Sequence, residues 1–195
     1  MTRRDEVAQA AMELVAEGGS RALTHRRIDR RLGFPEGTTS NYARTRRDLV
    51  MMVAQHIASI ANLRDPAAPP PRTVEEAVEQ LVIAFEKVAA RGTDIRARMA
   101  LTIDCQDDPE LYALLTTDSP VRATITQQAR ELLDDLGVMN SEQRAIDLIA
   151  LMNGLFYDRL IGYGVRGMPA DPAAVLRAWL TGLLSEQRSG RADGG

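Results

Sequence analysis

Cysteine occurs once in these 195 residues, at Cys105, and histidine only at His25 and His56. One thiol excludes an intramolecular disulfide and a thiolate cage for zinc, and two histidines far apart leave no metal-ligand spacing. No glycine-rich phosphate cradle follows a strand pattern, and no Ser, His and Asp set suggests a nucleophile. The chain is therefore expected to be neither an enzyme nor a holder of a metal or cofactor. No apolar run approaches the roughly 18 residues that span a bilayer, and the start Met1-Thr2-Arg3-Arg4-Asp5 lacks the apolar core of a secretory signal. The expected location is the cytoplasm. Lysine is also nearly absent: Lys87 stands alone, and every other basic residue is an arginine. Codon usage in a GC-rich genome accounts for most of that preference, but guanidinium also suits bidentate phosphate contacts.

What is present reads as a globular protein: 45% hydrophobic and 26% charged residues, enough length for one core and a small appended domain. The net charge of −3 conceals a split. Residues 1–50 contain 10 arginines against 7 acidic residues, whereas the remainder is acidic on balance. A basic head on an acidic body suits a phosphate-facing end and a body that stays off nucleic acid.

Every segment has helical period, so the expected fold is all-α. Val7, Ala8, Ala11, Leu14 and Val15 mark a first helix over Arg3–Glu17, stopped by Gly18-Gly19. Thr24 is a side-chain acceptor before a two-turn helix ending at Gly33, and Glu36 to Tyr42 is expected to form a third short helix. A fourth runs from Arg46 to about Ile60, and the proline-rich segment 62–72 then makes a stiff connector. Further stripes are Val74, Val78, Leu81, Phe85 and Val88; Ile95, Met99 and Ile103; and Val121, Ile125, Leu132 and Leu136.

Two short helices joined by a tight turn and braced by a preceding helix are the layout in which the second helix enters the major groove. The third helix carries Thr38, Thr39, Ser40, Asn41 and Tyr42, small or polar groups with almost no apolar anchor. Such groups approach base edges closely, Asn pairs bidentately with adenine, and a tyrosine hydroxyl reaches phosphate. At these residues the chain resembles a known family. Thr24 to Val50, T-x-x-x-I-D-R-R-L-G-F-P-E-G-T-T-S-N-Y-A-R-T-R-R-D-L-V, is similar to the helix-turn-helix signature of tetracycline-repressor (TetR-like) transcriptional regulators.

The resemblance implies that Thr38, Thr39, Asn41 and Tyr42 touch DNA and that Arg46 holds a phosphate. Thr24, Arg26, Arg27 and Ser40 complete the candidate DNA-contact set. Three residues depart from the family pattern: Ser40 replaces a usual tyrosine, Ala43 a usual phenylalanine and Asp29 a usual alanine. Ala43 is expected to remove core packing. Asp29, costly to bury without a partner, is expected at the surface beside an arginine.

For the body the resemblance implies a helical domain that binds a small-molecule effector and, through its last two helices, a second copy of the chain. Candidate pocket residues are Phe85, Met99, Ile103, Leu111, Leu115, Met152, Phe156 and Tyr157. Residues 141–162 and 173–186 are apolar over so wide an arc that each needs two partners, and Leu148, Leu151, Leu155, Leu176, Trp179, Leu180 and Leu183 are the candidate homodimer interface. The expected organisation is a DNA-binding head at 1–48, an effector and dimerisation body at 49–187, and a flexible tail at 188–195. The expected function is a repressor released from a palindromic double-stranded operator by its effector; the alternative is a helical protein-interaction regulator with weakened DNA binding.

Overall fold

The computed structural model describes residues 2–63, 65 and 67–192. Its helices are α1 (Arg3–Gly18), α2 (His25–Leu32), α3 (Arg46–Ile60), α4 (Val74–Arg91), α5 (Thr93–Asp104), α6 (Pro109–Leu115), α7 (Pro120–Asp135), α8 (Ser141–Leu160) and α9 (Pro172–Ala192). Short 3-10 turns occupy Ser20–Ala22, Thr39–Asn41 and Tyr163–Val165, and no strand occurs among the described residues. The all-α expectation holds. Of the expected tail, residues 188–192 continue α9, and 193–195 lie outside the described residues.

The chain folds as two compact units. The first comprises the residues up to Ala61 together with Arg91–Thr124, and so contains α1, α2, α3, α5 and α6. Its helix ends are set by local chemistry. Thr2 and Asp5 form a reciprocal capping box on α1, and Thr45 and Asp48 form another on α3. Gly33 ends α2 at φ 66°, a left-handed position natural to glycine. Asp108 caps α6 ahead of Pro109, accepting the Leu111 N–H at 3.1 Å. α1 is the central element, packed against α2, α3 and α5, with Val7, Ala11, Val15, Ile28, Leu49 and Val53 essentially inaccessible. Arg3 lies over the Phe34 ring at 4.7 Å and ties the start of α1 to the turn after α2.

On α5 the expected Ile95, Met99 and Ile103 stripe is corrected. Ile95, Ala97 and Leu101 are buried, Met99 is half-buried and Ile103 is 65% exposed, because small Ala97 lets the helix turn a different edge inward.

The second unit comprises Asn62–Ala90 and the residues from Ile125 onward, hence α4, most of α7, α8 and α9. The connector is tied down within it. The Leu63 N–H donates to Gln128 Oε1 at 2.7 Å, and Gln80 Nε2 donates to the Pro69 carbonyl at 2.8 Å. Leu81, Phe85, Leu132, Leu133, Leu148, Leu176 and Leu180 are buried almost completely.

Candidate functional site

The third short helix expected over Glu36 to Tyr42 is instead a turn at Glu36-Gly37 followed by a single 3-10 turn at Thr39–Asn41. Gly37 at φ 92° breaks α-helical continuity, and the segment offers no apolar face to sustain a longer helix. What holds this short segment is Asp29. It is 2% exposed and on α2, a burial that corrects the surface position expected from sequence. Its Oδ1 accepts the Thr39 N–H at 2.8 Å and the Thr39 hydroxyl at 2.6 Å, while Oδ2 accepts the Gly37 N–H at 2.7 Å. No arginine is needed: three donors on this short segment itself satisfy the charge. Burial alone would raise the Asp29 pKa, but the two Thr39 bonds and the Gly37 bond, with His25 nearby, outweigh it and hold the carboxyl below its ordinary 3.8.

A folded pKa below the unfolded one contributes stability that is complete above about pH 3.8 and is lost as pH falls through the lower folded value. Acid titration followed by exchange of the Thr39 amide should therefore show protection unchanged down to about pH 3.8 and falling progressively beneath it. Opening near pH 6 would contradict the assignment.

The second departure is compensated in a similar way. Ala43 is buried at 2% exposure, and His25 Nε2 donates to its carbonyl at 2.7 Å, a bond that ties the first turn of α2 to the residue where an aromatic is usual. Sequence reasoning missed both Asp29 and His25 as organisers. The signal was available: two departures from one motif, a buried-type position gone polar and a large residue gone small, fell on the same helix-turn-helix.

Among the candidate DNA contacts, Thr24, Arg26, Arg27, Ser40, Asn41 and Arg46 are exposed. Thr24 caps α2 by accepting the Arg27 N–H, and Arg26 pairs with Glu36 at 3.6 Å in open solvent. Thr38 is half-buried and its hydroxyl donates to the Pro35 carbonyl at 2.7 Å; Tyr42 is half-buried too. Thr39 is corrected. Fully buried, with its hydroxyl given to Asp29, it braces the turn and has no side-chain group left for a base.

Arg46 is exposed, and its Nη1 donates to the Ser20 carbonyl at 3.2 Å. The Ser20 N–H in turn donates to Asp104 Oδ2 at 2.8 Å, so α5 and α3 grip the turn after α1 from both sides. Asp104 is held below the usual carboxylate range by the Ser20 bonds. Cys105 lies beside this cluster; burial pushes its thiol up more strongly than Arg46 draws it down, which makes it a poor nucleophile.

The candidate pocket residues divide between the two units. Phe85 and Phe156 stack at 4.6 Å between centroids in the second unit, with Met152 also buried, whereas Tyr157 is 54% exposed. Leu111 and Leu115 are buried in the first unit; Ile103, in solvent, is corrected out of any buried lining. Arg159, not anticipated, lies over the Phe85 ring at 5.4 Å and pairs with Glu86 at 3.3 Å.

The candidate interface residues divide by burial. Leu148, Leu155, Leu176, Leu180 and Leu183 are buried within the single chain, and Leu151 and Trp179 are half-buried. A wide apolar arc does not reveal which half faces the chain's own core. The outward half of α8 carries Ile146, Ala150, Gly154 and Tyr157, and that of α9 carries Ala174, Ala178 and Gly182. A Cβ at Gly154 or Gly182 would meet nothing within 4 Å.

Comparison with known proteins resolves the family. The tetracyclin repressor-like C-terminal domain model matches residues 72–186, more than half of the chain and the part whose sequence pattern is least distinctive. The chain belongs to the tetracycline repressor-like family. The HTH-type transcriptional regulator BetI of Escherichia coli is 26% identical over 175 residues, 87% of this chain and 86% of that protein. Among solved structures, a transcriptional regulator from Rhodococcus sp. Rha1 superimposes with a TM-score of 0.71 at 20% identity, covering 95% of this chain and 97% of that one. Salmonella enterica GusR gives 0.68 at 19% identity over 93% of this chain and 95% of that one. As a tetracycline repressor-like protein the chain is a DNA-binding transcriptional regulator and not an enzyme, and it acts as a dimer on operator DNA. Among the described residues no helix is long and apolar enough to cross a membrane.

Proposed function

We propose that this regulator represses transcription in the cytoplasm, holding a palindromic operator with residues 1–48 of two protomers and releasing it when a small molecule binds the body at 49–187. The carrying observation is the reading turn, locked from beneath by Asp29 and leaving Ser40 and Asn41 exposed. Ser40 and Asn41 read base edges; Thr24, Arg26, Arg27, Tyr42 and Arg46 hold the backbone, Arg46 with donors beyond the one given to Ser20. The His25 bond at Ala43 supports this over a head that has lost its DNA function, because the lost aromatic is offset by an ordered contact. Release needs an effector that favours the unbound arrangement by about 1–3 kcal/mol. The dimer uses the outward stripes of α8 and α9, where Gly154 and Gly182 admit a partner helix at close range.

Gel-shift titration on the DNA upstream of the protein's own coding region tests the reading at several salt concentrations. Asn41→Ala should weaken the preferred site by about 1–3 kcal/mol and leave a scrambled duplex nearly unaffected. Arg46→Ala should weaken both duplexes alike and flatten the salt slope by about one phosphate's worth of released counterion. Equal losses on both duplexes for Asn41→Ala, with an unchanged slope for Arg46→Ala, would reverse these roles.

A further inference from the structure

The segment joining α8 to α9 displays an unusual amount of apolar surface. Ile161 is 43% exposed, Tyr163 86%, Val165 53% and Met168 89%, and Tyr157 on the last turn of α8 is 54% exposed. Single exposed apolar residues are ordinary, whereas contiguous sets mark contact surfaces. Nor is the segment slack. Asp158 accepts the Gly164 N–H on Oδ1 at 3.1 Å and the Ala170 N–H on Oδ2 at 3.0 Å. The Gly162 N–H donates to the Tyr157 carbonyl at 2.7 Å and the Gly167 N–H to the Tyr163 carbonyl at 3.0 Å. A Cβ at Gly164 would stand 2.5 Å from Asp158 Oδ2, and one at Gly167 2.6 Å from the Tyr163 ring. Glycine is what lets the chain wind this tightly around Asp158. The result is an ordered backbone that presents these apolar side chains to solvent, which lowers the ordering cost of binding.

We propose that residues 160–168 form an arm that docks on the second protomer, extending the helical interface beyond α8 and α9. This rests on the dimer reading above. The occupant follows from continuity: Tyr157 ends the outward α8 stripe, Ile161 begins the arm one turn later, and the arm leads directly into α9. As the covalent continuation of both helices, it cannot lie far from their interface. Between Leu160 and Pro169 the only charged residue is Arg166, a composition that suits the desolvated part of a protein contact and not a phosphate-bearing surface.

The test is sedimentation velocity over a concentration series with Tyr163→Asp and Met168→Asp. Each should raise the dimer dissociation constant by about tenfold or more, with the parent's circular dichroism, because both side chains are in solvent in the protomer. An unchanged constant overturns the arm. As an independent measure, peroxide should oxidise Met168 slowly in concentrated dimer and rapidly on dilution below the dissociation constant; equal rates also overturn it. A parent that is monomeric at every concentration overturns dimer and arm together. A parent dimer that Gly154→Leu leaves intact, yet the arm variants dissociate, overturns the helical stripe and upholds the arm.

Discussion

Asp29→Ala is expected to cost the N-terminal unit about 2–4 kcal/mol and to abolish DNA binding while leaving the dimer mass unchanged. The substitution removes one carboxylate but strands the Thr39 N–H, the Thr39 hydroxyl and the Gly37 N–H. Thr39 is fully buried, so water cannot take over its two bonds without opening the turn. An unsatisfied buried donor costs about 1–3 kcal/mol, and the total is dominated by these orphaned donors more than by the lost charge. Asp29→Asn would not restore the network, because the amide NH2 would face donors. Thr39→Val should lose about 1–2 kcal/mol and Thr39→Ser should restore most of it, since the hydroxyl is what Asp29 uses. Urea denaturation, exchange of the Thr39 amide and gel shift on the same samples check this. An Asp29→Ala protein with parental stability and DNA affinity would show that the turn is held by something else.

Gly154→Leu is expected to give a folded protomer of 21.4 kDa at concentrations where the parent has twice that mass. Glycine in a helix interior costs about 1 kcal/mol relative to alanine. Nothing inside the protomer repays that cost at position 154, where an added Cβ meets only open space. The proposed dimer supplies a reason for the glycine outside the chain, a closely approaching partner helix. An isobutyl group at a two-fold interface is felt twice, so the dimer should weaken by about a hundredfold or more. Gly154→Ala should make the dissociated protomer slightly harder to unfold. Light scattering and thermal melts separate the two effects. A Gly154→Leu protein that stays dimeric would place the interface elsewhere on the helices. Operator binding should fall with the dimer, because two linked heads gain their affinity from effective concentration.

The sequence made the secondary structure legible where caps and periodicity agreed. α2 was bounded at both ends by Thr24 and Gly33, and the expected span of α3, from Arg46 to about Ile60 before the connector, matches the folded helix, so residue-level pattern was enough. It was not enough where burial depends on a partner distant in sequence. Asp29 reads as a surface acid because the three donors that satisfy it lie 8 and 10 residues away on a segment with no period of its own. Thr39 reads as a base contact for the same reason: a hydroxyl's role depends on which acceptor it finds. On α8 and α9 the apolar arc was visible, but only the folded chain divides it into a half spent on its own core and a half that remains outside. The arm after α8 was illegible, because its order comes from glycines wrapped around Asp158 and not from a repeating pattern.

The lock on the reading turn also separates two tasks that a longer recognition helix combines. Fold is secured on the inner side, through Asp29, Thr39 and the Gly37 backbone, and the outward residues Ser40 and Asn41 form no part of that network. Exchanging those outward residues therefore carries little structural penalty. With the base-reading role proposed for Ser40 and Asn41, such a head would drift from one operator to another over generations without passing through unfolded intermediates, and these two positions would be the ones to randomise when a new DNA address is wanted.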